Sequence, residues 1–133
     1  HRMIGDRVYD HGCGHGADVA HLVETGRAAI GWDPVHHPAS TAASFHPATI
    51  LCTYVANVCR HKARWQLWSS LENMATRYGA TVYVTVRRDG NGARHTSRGY
   101  QDFTVTPRRP GWRRTHHNAQ RAIFSFTPQP ESD

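Results

Sequence analysis

A three-layer α/β fold is predicted, with a mostly parallel sheet that ends in an antiparallel strand pair. Three observations predict it. Residues 3–33 read as strand, glycine turn, helix and strand. Residues 49–86 read as a third strand, a long helix and a fourth strand. Two alternating runs, Tyr100–Val105 and Ala122–Phe126, come late and read as antiparallel strands. The 133 residues fit one domain, drawn at 3–127, with 128–133 as a frayed tail. His1 and Arg2 precede Met3 and are set aside as residues that need not belong to the native chain.

Each element has a local reason. Met3 to Tyr9 is the first strand, with Asp10 at its carboxyl end. Gly16 to Thr25 carries Val19, Leu22 and Val23 at helical spacing, and Gly26 stands where a helix stop belongs. Ala28 to Trp32 is a short buried strand that ends at Asp33, and Pro34 prevents its continuation. This unit of about 30 residues has the size of a crossover between parallel strands. Residues 36–47 read as loop, and Thr49 to Val55 as a buried strand. Trp65, Leu67, Trp68, Leu71 and Met74 form an apolar stripe on a helix over His61 to Tyr78, read as core. Gly79 stops that helix, and Thr81 to Val86 is another strand. Residues 87–98 are polar, and residues 107–111 break the chain between the late strands.

Composition limits the partners. The formal net charge is +6, and all but one of the 16 cationic residues are arginine, the exception being Lys62. Arginine suits bidentate contact with phosphate or carboxylate, and the excess lies late in the chain, so an anionic or nucleic-acid partner is an expectation. No apolar run is long enough to span a membrane, so no membrane partner is expected. The three cysteines, Cys13, Cys52 and Cys59, read as free thiols, which predicts a cytoplasmic protein. Cys59 is the only one weighed as a reactive thiol. The 11 histidines raise the question of a metal. His11, Cys13 and His15 alternate by one, a poor spacing for tetrahedral ligands, and no metal site is predicted.

The chemistry concentrates at Asp10-His11-Gly12-Cys13-Gly14-His15-Gly16. Glycines after a first strand let the backbone turn sharply and approach a ligand closely. Their spacing by two differs from the G-x-G-x-x-G of dinucleotide sites, which disfavours a nicotinamide enzyme. The Asp10 carboxylate would repel a phosphate and suit an ammonium group. Asp33 ends the second strand, where a carboxylate can accept hydrogen bonds from both ribose hydroxyls.

These residues resemble the class I, Rossmann-like S-adenosylmethionine-dependent methyltransferases. Asp10-x-Gly12-Cys13-Gly14-x-Gly16 is similar to the family's first motif, and Gly31-x-Asp33-Pro34 to its ribose-binding acidic motif. Thr53, Tyr54, Val55 and Asn57 resemble the end of the family's fourth strand, which borders the reacting methyl group. The resemblance implies a methyltransferase with S-adenosylmethionine as cofactor and S-adenosylhomocysteine as product. It implies a cofactor site of Asp10, Gly12, Cys13, Gly14, Gly16, Asp33, Pro34, Thr53, Tyr54 and Val55. The family's helix and third strand before the fourth strand have too little room between Pro34 and Ala48. The domain is therefore read as a shortened version of the fold, with Phe45, His36 or His37 nominated to hold the adenine.

The acceptor is not legible. The Asn/Asp-Pro-Pro-Tyr signature of base amino-group methylation is absent, and no added recognition domain is visible. Tyr54, Asn57, His46 and His61 are the candidates for a general base, should the acceptor need one. Residues 96–101 are dense in donors and are nominated for the acceptor pocket. Trp112 beside Arg113 and Arg114 is read as an aromatic that pins a loop, with base stacking as the competing role. Self-association into a homodimer is one way for so short a chain to complete its pocket. A second reading is a nucleic-acid-binding module that takes up the cofactor without methylating.

Overall fold

The computed structural model describes residues 7–12, 14–38 and 42–129. A six-stranded sheet in the order β2-β1-β3-β4-β8-β7 forms its centre. The strands are β1 (Arg7–His11), β2 (Ala28–Trp32), β3 (Thr49–Thr53), β4 (Thr81–Arg87), β7 (Trp112–His117) and β8 (Arg121–Phe126). β1, β2, β3 and β4 are parallel, while β8 runs antiparallel to both β4 and β7. Two strands, β5 (Ala93–Thr96) and β6 (Gly99–Asp102), form a separate hairpin. The helices are α1 (Ala17–Glu24), α2 (Ala42–Phe45) and α3 (His61–Tyr78).

The alternation of β4 explains the layering. Val82, Val84 and Val86 are fully buried on one face, where Leu67, Trp68, Leu71 and Ala75 of α3 pack with Ile50, Cys52 and Phe124. α1 packs against β2 and buries Leu22. Gly79 stops α3 in the left-handed conformation and donates its N–H to the Ala75 carbonyl. Among the described residues β2 forms an edge of the sheet, and the segment between β2 and β3 adds only α2.

Two readings are corrected in detail. Tyr100–Val105 is not the partner of the last strand; Gly99–Asp102 pairs with Ala93–Thr96, and Trp112–His117 pairs with β8. The β7 stretch Arg113–His117 is exposed throughout, so it lacks the alternation that marks a half-buried strand. Trp65 is not core: it is 57% exposed, with the Arg109 guanidinium stacked 4.3 Å from its ring centroid. The strand expected over Met3 to Tyr9 is described from Arg7 onward, and residues 3–6 lie outside the described residues.

One carboxylate ties α3 to the antiparallel end. Glu72 accepts hydrogen bonds from Arg109 Nε (2.7 Å), Arg109 Nη2 (2.8 Å) and Trp112 Nε1 (2.7 Å). The Trp112 ring lies edge-on to Trp68 and against Phe126. Trp112 therefore holds the sheet edge to the helix layer. No described helix is long and apolar enough to cross a membrane.

Candidate functional site

The chain passes from β1 to β2 on one side and then to β3 on the other, so the strand order reverses at β1. Crevices at the carboxyl ends of such strands are where open α/β sheets bind ligands. Here a cleft of about 460 Å³ opens between the ends of β1, β2 and β3 and one side of α3. Its volume falls within the usual range for small-molecule sites. Gly12, Asp33, Pro34, Thr53, Tyr54 and Val55 all line it.

The glycine turn is fixed by close packing. Gly12 has φ 87° and donates its N–H to the Trp32 carbonyl at 2.7 Å. A Cβ at this position would stand 2.6 Å from Val55 Cγ2. Both the dihedral and the contact therefore require glycine. Two residues on, Gly14 donates its N–H to Asp33 Oδ2 at 3.1 Å. That bond joins the turn to the acid of the second strand. Cys13 lies outside the described residues.

Asp33 is held by backbone. Its Oδ1 accepts from Val35 N (2.9 Å) and His36 N (3.0 Å). These N–H groups, His36 first, hold its carboxyl below the usual carboxylate range, so it is ionised at neutral pH. Three accepted bonds leave acceptor capacity on the carboxylate at the cleft's rim.

Asp10 and His11 point to opposite faces, as consecutive strand residues do. Asp10 lies beneath the turn, 3% exposed, and its Oδ1 has no hydrogen-bond partner among the described residues. Burial, with a smaller push from Asp18, raises its pKa to about 6. His11 faces the cleft and stacks on Trp32 with ring centroids 4.8 Å apart and 17° between planes. Burial lowers its pKa to about 4, so the imidazole is neutral at physiological pH. The Trp32 indole is anchored in turn by donation to the Pro38 carbonyl at 3.1 Å.

Tyr54 is the strained residue of the site. Its φ is 62°, in the left-handed region that bulky side chains avoid, and its N–H donates to the Thr85 carbonyl at 2.8 Å. It is 39% exposed and lines both the main cleft and an adjoining one with Arg87, Asp89, Gln120 and Arg121. Backbone strain of this kind persists where the surroundings over-determine it, and it collects at functional sites.

Several nominated residues are not brought to the cleft. Phe45 lies at the amino end of the sheet, under the Arg7 guanidinium at 4.5 Å, because Arg7 also donates to the Phe45 and His46 carbonyls. His46 packs edge-on to Tyr78 at that same end. Asn57 is fully buried and donates to Gln101 Oε1. His61 lines a separate cleft with Arg64 and Trp65. His36 packs on His15 with centroids 3.9 Å apart, and His37 faces Gly16 across a hollow beside α1. Sequence reasoning missed His11, Trp32, Gln66, Leu67 and Ser70 as cleft residues. The legible signal was on α3, where Ala63, Gln66, Leu67 and Ser70 recur at the spacing of one helix face. Cys59 also lines the cleft, but burial pushes its thiol up, away from thiolate chemistry.

No family model matches the sequence, and no curated protein matches it with significance. Solved structures do match. Magnesium protoporphyrin IX methyltransferase from Synechocystis, crystallised with bound S-adenosylmethionine, is similar with a TM-score of 0.54 and 15% identity over 96% of this chain and 72% of that one. A protein solved in a study of the conversion of a disulfide bond into a thioacetal group during echinomycin biosynthesis is similar with a TM-score of 0.55 and 14% identity, over 95% of this chain and 77% of that one. The chain shares the fold of these solved structures, one of them a methyltransferase crystallised with S-adenosylmethionine.

Proposed function

We propose that this protein is an S-adenosylmethionine-dependent methyltransferase. The observation that carries the proposal is the hydrogen bond from the glycine turn to Asp33 at the mouth of a cleft on the strand-order reversal. It joins both motifs of the resemblance into one site. The bound cofactor supplies an electrophilic methyl group on a sulfonium centre, so direct transfer needs no metal.

The chain's own residues fit that ligand. Asp33, ionised and aimed by backbone N–H groups, accepts the ribose hydroxyls with its remaining lone pairs. Trp32 and neutral His11 form a flat, uncharged wall suited to a purine ring and compatible with a nearby cation. Asp10 keeps a carboxylate oxygen without a partner among the described residues, and a cationic ligand near it relieves the cost of that buried charge. Thr53 and Tyr54 border the reacting methyl. Tyr54 is the candidate base whose side chain reaches the cleft; Asn57, His46 and His61 are placed elsewhere. Alignment and exclusion of water supply most of the acceleration for a nucleophilic acceptor.

Calorimetry with S-adenosylhomocysteine tests the donor site. Wild-type protein should bind it, and Asp33→Ala should lose about a hundredfold in affinity, because a site built to hydrogen-bond hydroxyls fails without its acceptor. Equal affinity of the two proteins would remove Asp33 from the ribose site. Transfer of labelled methyl groups to fractionated RNA, DNA, protein and metabolites, with Asp33→Ala as control, tests catalysis.

A further inference from the structure

Beyond Tyr54 the carboxyl end of the sheet carries two further clefts that share Arg87 and Asp89. The outer one, of about 380 Å³, is lined by Arg87, Arg94, Thr96, Ser97, Arg98 and Gln101, together with Gly90 and Phe103. Among the described residues Asp89 is the sole carboxylate lining either cleft, and Arg87 engages it through two hydrogen bonds of 3.0 and 2.9 Å. Arg94 and Arg98 are exposed on the β5–β6 hairpin, and Arg121 is exposed at the start of β8. No acid among the described residues pairs with these three.

The floor is built rather than incidental. Gln101 is 7% exposed and accepts from the fully buried Asn57, whose own Oδ1 has no partner among the described residues. Arg64 pairs with neighbouring Asp102 at 3.0 Å, so the hairpin is pinned to α3 from below while its arginines face outward.

We infer that this arginine-lined cleft holds the phosphodiester backbone of a single-stranded nucleic acid, whose base reaches the donor cleft past Tyr54. The inference rests on the methyltransferase reading. Charge complementarity selects a polyanion: the positive lining is divided over two adjoining clefts, with Arg94 and Arg98 in one, Arg121 in the other and Arg87 in both, which gives more than one phosphate a place. A single strand is selected because a base must leave its stack to meet a donor buried in a cleft. The Ser97 hydroxyl and the Gln101 amide nitrogen add hydrogen bonds to the strand, while the Thr96 hydroxyl is spent within the hairpin on the Gly99 carbonyl. In the transfer, a lone pair on the acceptor atom forms the new bond to the methyl carbon. The sulfur keeps the electron pair of the broken carbon–sulfur bond, and the acceptor's displaced proton leaves to solvent.

Fluorescence anisotropy of a labelled single-stranded oligonucleotide of about a dozen residues, with the full chain at about 0.1 M salt, tests this. The combined variant Arg94→Ala and Arg98→Ala should weaken binding about tenfold or more and reduce the salt slope by about two. Calorimetric affinity for S-adenosylhomocysteine should be unchanged in it. Three outcomes overturn the inference: equal oligonucleotide affinity in wild type and variant, a duplex or acidic peptide held as tightly as the single strand, or inorganic phosphate or a 5′-mononucleotide displacing the oligonucleotide at matched concentration. Oligonucleotide binding by a wild-type protein that does not take up S-adenosylhomocysteine overturns the donor reading, and with it the acceptor role of the cleft.

Discussion

The donor cleft and the arginine cleft, joined through the smaller cleft that Tyr54 lines between them, are built on opposite principles. The donor cleft is walled by a neutral imidazole and an indole, and its one rim charge is fixed by three backbone N–H groups. The arginine cleft depends on long, exposed side chains standing on a hairpin. Backbone-held groups lose little entropy when a ligand arrives and discriminate atom by atom. Long arginines lose more and discriminate by charge. One site is shaped for a single molecule, the other for a class of molecules.

The hardest test of that contrast is Gly12→Ala. The new Cβ meets Val55 Cγ2 at 2.6 Å in a backbone conformation that only glycine adopts freely. A loss of about 2–4 kcal/mol in denaturant unfolding is expected, with loss of S-adenosylhomocysteine binding. Unfolding free energy equal to wild type would show that the turn is slack and that the donor cleft is not rigid.

Asp10→Asn comes next and works through ionisation. The folded pKa of Asp10 is raised to about 6 from 3.8, so its contribution to stability is present below pH 3.8 and lost as pH rises through 6. The amide has no such loss. The Asp10→Asn variant should be more stable than wild type by about 3 kcal/mol at pH 7, and equal to it near pH 3.5. Its cofactor affinity should fall. Thermal melts across about pH 3.5–7 measure the first effect and calorimetry the second. His11 runs the other way, since its stabilising contribution is lost as pH falls from 6.5 through about 4. The two neighbours offset each other over one window, so wild-type stability should vary less with pH than that of the Asp10→Asn variant.

Asp89→Asn is the mildest. Asp89 is exposed and its pair with Arg87 lies at the surface, so no measurable change in melting temperature is expected. Freeing Arg87 should strengthen oligonucleotide binding a few-fold while the donor cleft is untouched. A change in S-adenosylhomocysteine affinity instead would show that the two clefts are not independent.

The same contrast governs what is legible in the sequence. Gly12, Asp33 and the whole of α3 are legible, because tight turns demand glycine and a helix repeats its apolar face. The wall made by His11 and Trp32 is not, because two aromatics 21 positions apart meet only through the register that pairs these residues across β1 and β2. β7 is hidden for another reason: an exposed edge strand of arginines and histidines has no buried face to alternate against. Phe45 stands near Asp33 in sequence, and the short path through α2 carries it to the far end of the sheet instead. The arginine cleft shows in the sequence as a charge excess and as the donor-dense run 96–101, of which Thr96, Ser97, Arg98 and Gln101 line it, while Arg87 and Arg94 join them only through the fold.

Glu72 accepts three hydrogen bonds from Arg109 and Trp112, in a segment that starts 37 residues later, beside the ring contacts that Trp65 and Trp68 of α3 make with the same two residues. Removing it would leave a half-buried guanidinium and an indole N–H without their acceptor at once. The last two strands and the long helix are thereby made one cooperative unit, so the antiparallel end cannot fray residue by residue while the helix stays docked. A chain this short has few interfaces through which to make its melting all-or-none, and a single carboxylate serves as one of them.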